Sequence, residues 1–185
     1  PIASSKHVYP SAAVKTFPIT GQWKLEFLDG GPKLPIPTSL DSTVFWTLLA
    51  DTLAKNFSGT ARYTSTFDLP DEKMTNWSLE LGEVSATVEV VLNGVSLGSH
   101  IGPVFKFAVP PSLLQKQNTL QVTVASLMAN RIAYMDRNNL PWKIFYNVNM
   151  PARKKENARD GIFSAADWSP VNSGLKGPVV LEGNQ

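Results

Sequence analysis

Six segments of the chain alternate apolar and polar residues with a period of two. Trp23, Leu25 and Phe27 fall on one side of the first, and Lys24 and Glu26 on the other. Tyr63, Ser65 and Phe67 interleave with Arg62, Thr64 and Thr66, and Trp77, Leu79 and Leu81 with Ser78 and Glu80. The same rhythm runs through 88–92, 105–109 and 120–124. Successive side chains of an extended backbone point to opposite faces, so each segment has one face for a core and one for water. Pro70-Asp71, Gly102-Pro103 and Pro110-Pro111 mark breaks between segments. Asn93-Gly94, between Leu92 and Val95, suits a type I′ hairpin, whose two central residues both take positive φ. The pattern predicts an all-β fold, an antiparallel β-sandwich of jelly-roll type. A parallel α/β fold would need long helical stretches between strands, and none is present.

One short helix is predicted over residues 43–54. Val44, Leu48 and Thr52, with Phe45, Leu49 and Leu53, recur at helical spacing, and Asp41 or Ser42 could cap its start. An irregular crossover burying the same residues is the alternative. Residues 28–40 and 129–178 show no period and read as loops, the second leading into a last strand at 179–181. Long ordered loops in compact domains are commonly functional.

Length and composition narrow the function. With 185 residues, a single sandwich domain over 1–185 is expected, with its core over about 20–182 and an N-terminal extension over 1–19. The first residue is Pro1, which fits a processed protein or a piece of a longer one. Seventeen basic and fifteen acidic residues leave a formal charge of +2, too balanced for electrostatic nucleic-acid binding. No apolar run approaches the roughly 18–20 residues of a membrane-spanning helix, so neither nucleic acid nor a membrane is expected as a partner. The absence of cysteine excludes disulfides, thiolate catalysis and cysteine zinc sites. The two histidines, His7 and His100, lack a ligand-spaced companion, and neither a phosphate loop nor a nucleophile elbow is present.

Carboxylates and aromatic residues remain. Glycoside hydrolysis needs two carboxyl groups roughly 5–9 Å apart, and Asp29, Asp71, Asp136, Asp160 and Asp167 lie in or beside loops. Sequence spacing does not pair them. Of five tryptophans, Trp23, Trp46 and Trp77 read as core. Trp142 and Trp168 fall in the long loop region, with Arg131, Tyr134 and Asp136 nearby. A sugar offers an apolar C–H face and a hydroxyl rim, which an accessible ring with charged groups around it can match. Arg131, Tyr134, Asp136, Trp142 and Trp168 are therefore the candidate carbohydrate-binding residues. The plainer alternative is that the rings plug the open end of the sandwich. The run Arg153-Lys154-Lys155-Glu156 reads as a solvated loop tip, or as an attractor for acidic polysaccharide.

An ordered series of motifs points further. Gly21-Gln22-Trp23, Phe57-Ser58-Gly59-Thr60-Ala61-Arg62-Tyr63 and Leu79-Glu80-Leu81-Gly82-Glu83-Val84 come first. Val91-Leu92-Asn93-Gly94, Asn118-Thr119-Leu120, Asn130-Arg131-Ile132 and Gly177-Pro178-Val179-Val180-Leu181 follow. Together they resemble the sugar-binding jelly-roll domain, galactose-binding-like, of family 2-type glycoside hydrolases. The stretch from Ser42 to Tyr63, with Trp46 ahead of the Phe57 motif, looks most like the C-terminal sandwich of family 106 α-L-rhamnosidases.

The resemblance implies a non-catalytic sandwich of a carbohydrate-active enzyme, accessory or weakly sugar-binding. The catalytic carboxylates of such enzymes lie on a separate (β/α)₈ barrel, for which this chain has neither length nor repeat. In those enzymes the loop before the last strand can reach the barrel and touch substrate. Here that segment is roughly 130–142, with Asp136 at the acidic position and Trp142-Lys143 where the family has tryptophan-arginine. The implied partners are carbohydrate, such as a plant-wall glycan, and the catalytic domain of a parent enzyme, in a secreted or periplasmic protein. No cofactor is required, though related sandwiches often hold one structural calcium. Two alternatives stand beside this reading: a true carbohydrate-binding module for plant-wall polysaccharide, and a small independent hydrolase using loop carboxylates.

Overall fold

The computed structural model describes residues 14–144, 154–159 and 161–184. Its ordered strands build two antiparallel sheets packed face to face. The larger has six strands in the order β3 (Thr38–Leu40), β2 (Trp23–Gly31), β4 (Ser58–Asp68), β10 (Gln117–Ala125), β7 (Thr87–Leu92) and β8 (Val95–Ile101). The smaller has four, β1 (Lys15–Pro18), β14 (Val180–Asn184), β5 (Asn76–Glu80) and β9 (Lys106–Val109). Two short ladders complete it: β6 (Glu83–Val84) with β13 (Leu175–Gly177), and β11 (Ala158–Arg159) with β12 (Ile162–Phe163). The predicted N-terminal extension over 1–19 thus contains a strand, since β1 pairs with β14 from Lys15↔Gly183 to Pro18↔Val180.

The period-two segments supply the core. Trp23, Leu25, Phe27, Tyr63, Val90 and Val122 from the larger sheet meet Trp77, Leu79, Phe107 and Leu181 from the smaller in one apolar cluster. Removing this apolar surface from water is the main force holding the sheets together. The Asn93-Gly94 turn forms as predicted: the two residues have φ of +51° and +81°, and Leu92 pairs with Val95. A buried polar network ties this turn down. Asn118, fully buried, accepts from Asn93 Nδ2 and the Gln115 amide and donates to the Gln115 carbonyl. Asn93 Oδ1 accepts from the Thr119 amide, and its Nδ2 also donates to the Leu113 carbonyl.

The helical prediction needs correction. No continuous helix covers 43–54: a 3₁₀ turn occupies Trp46–Leu48, and a separate helix, α1, runs Thr52–Asn56. Asp51, not Asp41 or Ser42, caps α1 by accepting from the Leu53 amide. The physical reason lies in tertiary competition for backbone groups. The Val44 carbonyl accepts the Tyr63 hydroxyl at 2.9 Å, and the Trp46 amide donates to the Ser173 carbonyl at 2.9 Å. Both groups are lost to a helix ladder, while Trp46 is fully buried all the same. A second helix, α2 (Ala129–Arg137), stands where a loop was predicted. Its buried face is only Asn130 and Ala133, too thin a stripe to show as an apolar period. Arg62 lies in an interior strand opposite Glu26 and Thr123.

Tyr63 joins the larger sheet to the crossover and to β13. Its hydroxyl donates to Val44 and accepts from the Leu175 amide at 3.3 Å, and burial pushes its phenol well above the ordinary range. Tyr63→Phe keeps the ring but leaves a buried carbonyl and amide unpaired. We expect a loss of about 1–2 kcal/mol in a denaturant titration; an unchanged midpoint would show that the hydroxyl bridge contributes nothing.

Candidate functional site

Asn130 begins the site. Buried at the start of α2, it donates from Nδ2 to the Val171 carbonyl and accepts the Val171 amide at Oδ1, both at 2.8 Å. This pair of bonds fastens the start of the long loop region to its end, 41 residues later. The next residue, Arg131, anchors its backbone amide on Ser58 Oγ at 3.0 Å, and its guanidinium lies against Gly31.

Asp136 sits five residues beyond Arg131 on α2, about 140° further round the helix. It is the centre of a compact cluster. Oδ1 accepts from Trp142 Nε1 at 3.1 Å and pairs with Lys143 Nζ at 2.9 Å. Oδ2 accepts from Ser164 Oγ at 2.7 Å and from the Ala165 amide at 2.8 Å. The Asp136 side chain is 11% exposed. Burial by itself raises its pKa, but the bonds from Ser164, Lys143, Trp142 and Ala165 outweigh that and hold it at about 2. Lys143 also places its ammonium 5.2 Å from the centre of the Trp142 ring. Lys143 therefore bridges acid and ring.

Both loop tryptophans join this cluster. Trp142 packs edge-on to Phe163 at 6.0 Å between centroids, and Trp168 packs edge-on to the same ring at 5.8 Å. Trp168 Nε1 donates to Asn157 Oδ1 at 2.9 Å. Both indoles are half-buried. Asp136, Trp142 and Trp168 are thus brought together. Arg131 is not: its contacts are with Ser58 and Gly31. Tyr134 is half-buried and lies about 200° round α2 from Asp136, on the opposite side of the helix. Sequence reading did not single out Phe163, Ser164 or Asn157. Only Phe163 carried a signal, as an aromatic five residues before a suspected tryptophan.

Asp167 is exposed in an ion pair with Arg159 at 2.9 Å. Asp160, His7 and Arg153 lie outside the described residues. The Lys106 hydrogen bond holds Glu182 below its ordinary range, so Glu182 and Asp136 are both shifted the opposite way from a general acid. Among the described residues, no group of three or more His, Asp or Glu side chains gathers to hold a metal ion. No helix of the described residues is long and apolar enough to cross a membrane.

The strand register fixes where α2 lies. Gly31 opposes Ser58, Ala125 opposes Thr60 and Thr87, and Thr87 opposes Ile101, so these residues mark one end of the six-stranded sheet. Exposed apolar side chains are spread along that side of the sheet, from Ile36 ahead of edge strand β3 to Ile101 at the end of the opposite edge strand β8, with Leu127 and Met128 after β10; Ile36 is 80% and Ile101 85% exposed.

Comparison with known proteins agrees with this architecture. The family model described as "Beta-galactosidase second all-beta domain" matches residues 35–130, just over half of the chain. A Formosa agariphila protein named "Putative beta-glucuronidase" is 29% identical over 129 residues, covering 66% of this chain and 11% of that protein. The rhamnosidase from Novosphingobium sp. PP1Y superposes with a TM-score of 0.70 and 25% identity, over 94% of this chain and 16% of that one. The β-glucuronidase of Bifidobacterium dentium, solved with coumarin-3-O-glucuronide, superposes with a TM-score of 0.58 and 23% identity, over 95% of this chain and 31% of that one. The chain thus spans about a tenth to a third of the length of these relatives. With its two antiparallel sheets and the match over 35–130, the chain belongs to the β-galactosidase second all-β domain family, an accessory all-β domain of glycoside hydrolases.

Proposed function

We propose that this chain is a non-catalytic sandwich of an α-L-rhamnosidase-like glycoside hydrolase acting on plant-wall glycan outside the cytoplasm. Its α2 end packs on the catalytic domain and its Asp136 cluster steadies aromatic rings beside the sugar. The single observation that carries this reading is the convergence of Trp142 and Trp168 on Phe163 beside Asp136. Each oxygen of Asp136 already accepts two bonds, so Asp136 is a positioning residue and the ring faces meet the sugar. The exposed apolar side chains along that side of the six-stranded sheet favour packing against a larger body over a freestanding module. The rhamnosidase relation favours the sugar class.

A titration of intrinsic tryptophan fluorescence with rhamnose, galactose, galacturonic acid and their oligomers tests this. One neutral sugar should give a saturable change at millimolar concentration, worth about 4 kcal/mol of binding free energy. Trp142→Ala and Trp168→Ala should abolish it, while Arg131→Ala and Tyr134→Ala keep it. A folded protein that responds to none of these sugars, or responds equally after loss of both rings, overturns the role of the cluster.

A further inference from the structure

At the end of the sandwich away from α2, the Pro18–Thr20 link between β1 and β2 separates two clefts. The larger encloses about 510 Å³, inside the roughly 300–1,000 Å³ range of small-molecule sites. Its floor is apolar: Ile19 and Val179 are buried beside Trp23 and Pro178. Its rim is polar, with Asp41, Thr43, Glu83 and Lys176. Lys176 Nζ pairs with Glu83 Oε1 at 2.7 Å, both groups about half exposed. Thr43 Oγ1 donates to the Lys176 carbonyl at 2.9 Å and retains lone pairs that can accept.

The walls are preformed. A Cβ on Gly82 would come within 2.4 Å of the Gly177 carbonyl group, and one on Gly177 within 2.5 Å of Thr43 Oγ1. Both glycines have positive φ, +65° and +80°. At Gly82 backbone meets the Gly177 backbone at a distance that only glycine allows, which fixes the chain beside the rim. The cleft shares no lining residue with the Asp136 cluster. The nine residues of β2 lead from Trp23 at the cleft to Gly31 against Arg131, a span of about 27 Å.

A floor without charge and a rim of donors and acceptors match the two kinds of surface on a pyranose ring. The rim holds two carboxylates and one ammonium, a net negative charge that repels a uronate. We propose that this cleft is a second carbohydrate-binding site, selective for a neutral pyranose. It is separate from the Asp136 cluster and open to a glycan while the α2 end is covered. The site would let the domain hold a polysaccharide chain at a distance from the point of cleavage.

Two-dimensional amide NMR spectra of the 185-residue chain, titrated with methyl α-L-rhamnoside, methyl β-D-galactoside and sodium glucuronate, test it. We expect saturable shifts at Thr43, Glu83, Gly177 and Val179 with a neutral glycoside, and at least about tenfold weaker binding of glucuronate. Glu83→Lys should narrow or reverse that preference, and Thr43→Val should weaken neutral binding, each with α2 amide signals unchanged. If Thr43→Val fails to fold, Glu83→Lys alone carries the test, because it replaces an exposed charge. Shifts confined to Trp142, Phe163 and Trp168 would sink the second site while leaving the Asp136 cluster intact. Equal binding of glucuronate, or no saturable shift with any neutral glycoside up to ~100 mM, would overturn the proposal as well.

Discussion

Asp136→Asn is expected to loosen the segment around residues 162–168 and to cost about 3 kcal/mol. The side chain is largely buried, and its two oxygens receive four donors. An amide replaces one acceptor with an N–H that faces donors and leaves Lys143 without its counter-charge. The effect should read out locally, as faster hydrogen exchange at the Ala165 amide, which donates to Asp136 Oδ2. Protonation should reproduce it. With the folded pKa held at about 2 by the surrounding donors despite burial, the carboxylate is stabilising above its unfolded value near ~3.9. That contribution, about 2–3 kcal/mol, is lost as pH falls from ~4 through ~2. Exchange at Ala165 should therefore accelerate in this window before global unfolding, and in Asp136→Asn it should be fast already at neutral pH. Equal protection of Ala165 in both proteins would mean that the four bonds do not hold the loop.

A comparable loss is expected from Asn118→Ala, about 3 kcal/mol, although the residue touches no candidate ligand. Truncation strands the Gln115 amide and carbonyl and removes the acceptor that orients Asn93. Asn93→Ala strands the Leu113 carbonyl and the Thr119 amide from the other side of the same network. The two changes share partners, so they should not add: the double variant should be more stable than the sum predicts by about 1 kcal/mol. Denaturant midpoints of the four proteins measure this directly. Strict additivity would show that hairpin turn and loop are held independently.

These two sites differ in how far they can be read from the sequence. Asn93-Gly94 is legible as a turn because the backbone conformation of two adjacent residues is a local property. That Asn118 would be its buried partner is not, since the two are 25 residues apart and meet only through strand pairing. Asp136 and Trp142 stand six residues apart, close enough to be suspected together. Ser164, which supplies the shortest bond to Asp136, gives no local sign of its role. Arg131 and Tyr134 illustrate the opposite error: they are near in sequence, but the turn of α2 carries them away from Asp136.

The alternation of apolar and polar residues by itself determined the sandwich, because a strand with one apolar face has few ways to bury it, and its period is written in the chain. It equally determined that Trp23 and Trp77 would be core. What only the tertiary structure decided was the path of the segments without a period. Residues 43–54 give up a continuous helix because Tyr63 and Ser173 capture the backbone groups of Val44 and Trp46. The long loop region closes on itself because Asn130 clasps Val171. Both outcomes rest on hydrogen bonds between residues far apart in the chain, and their strength depends on burial that exists only once the sheets have packed.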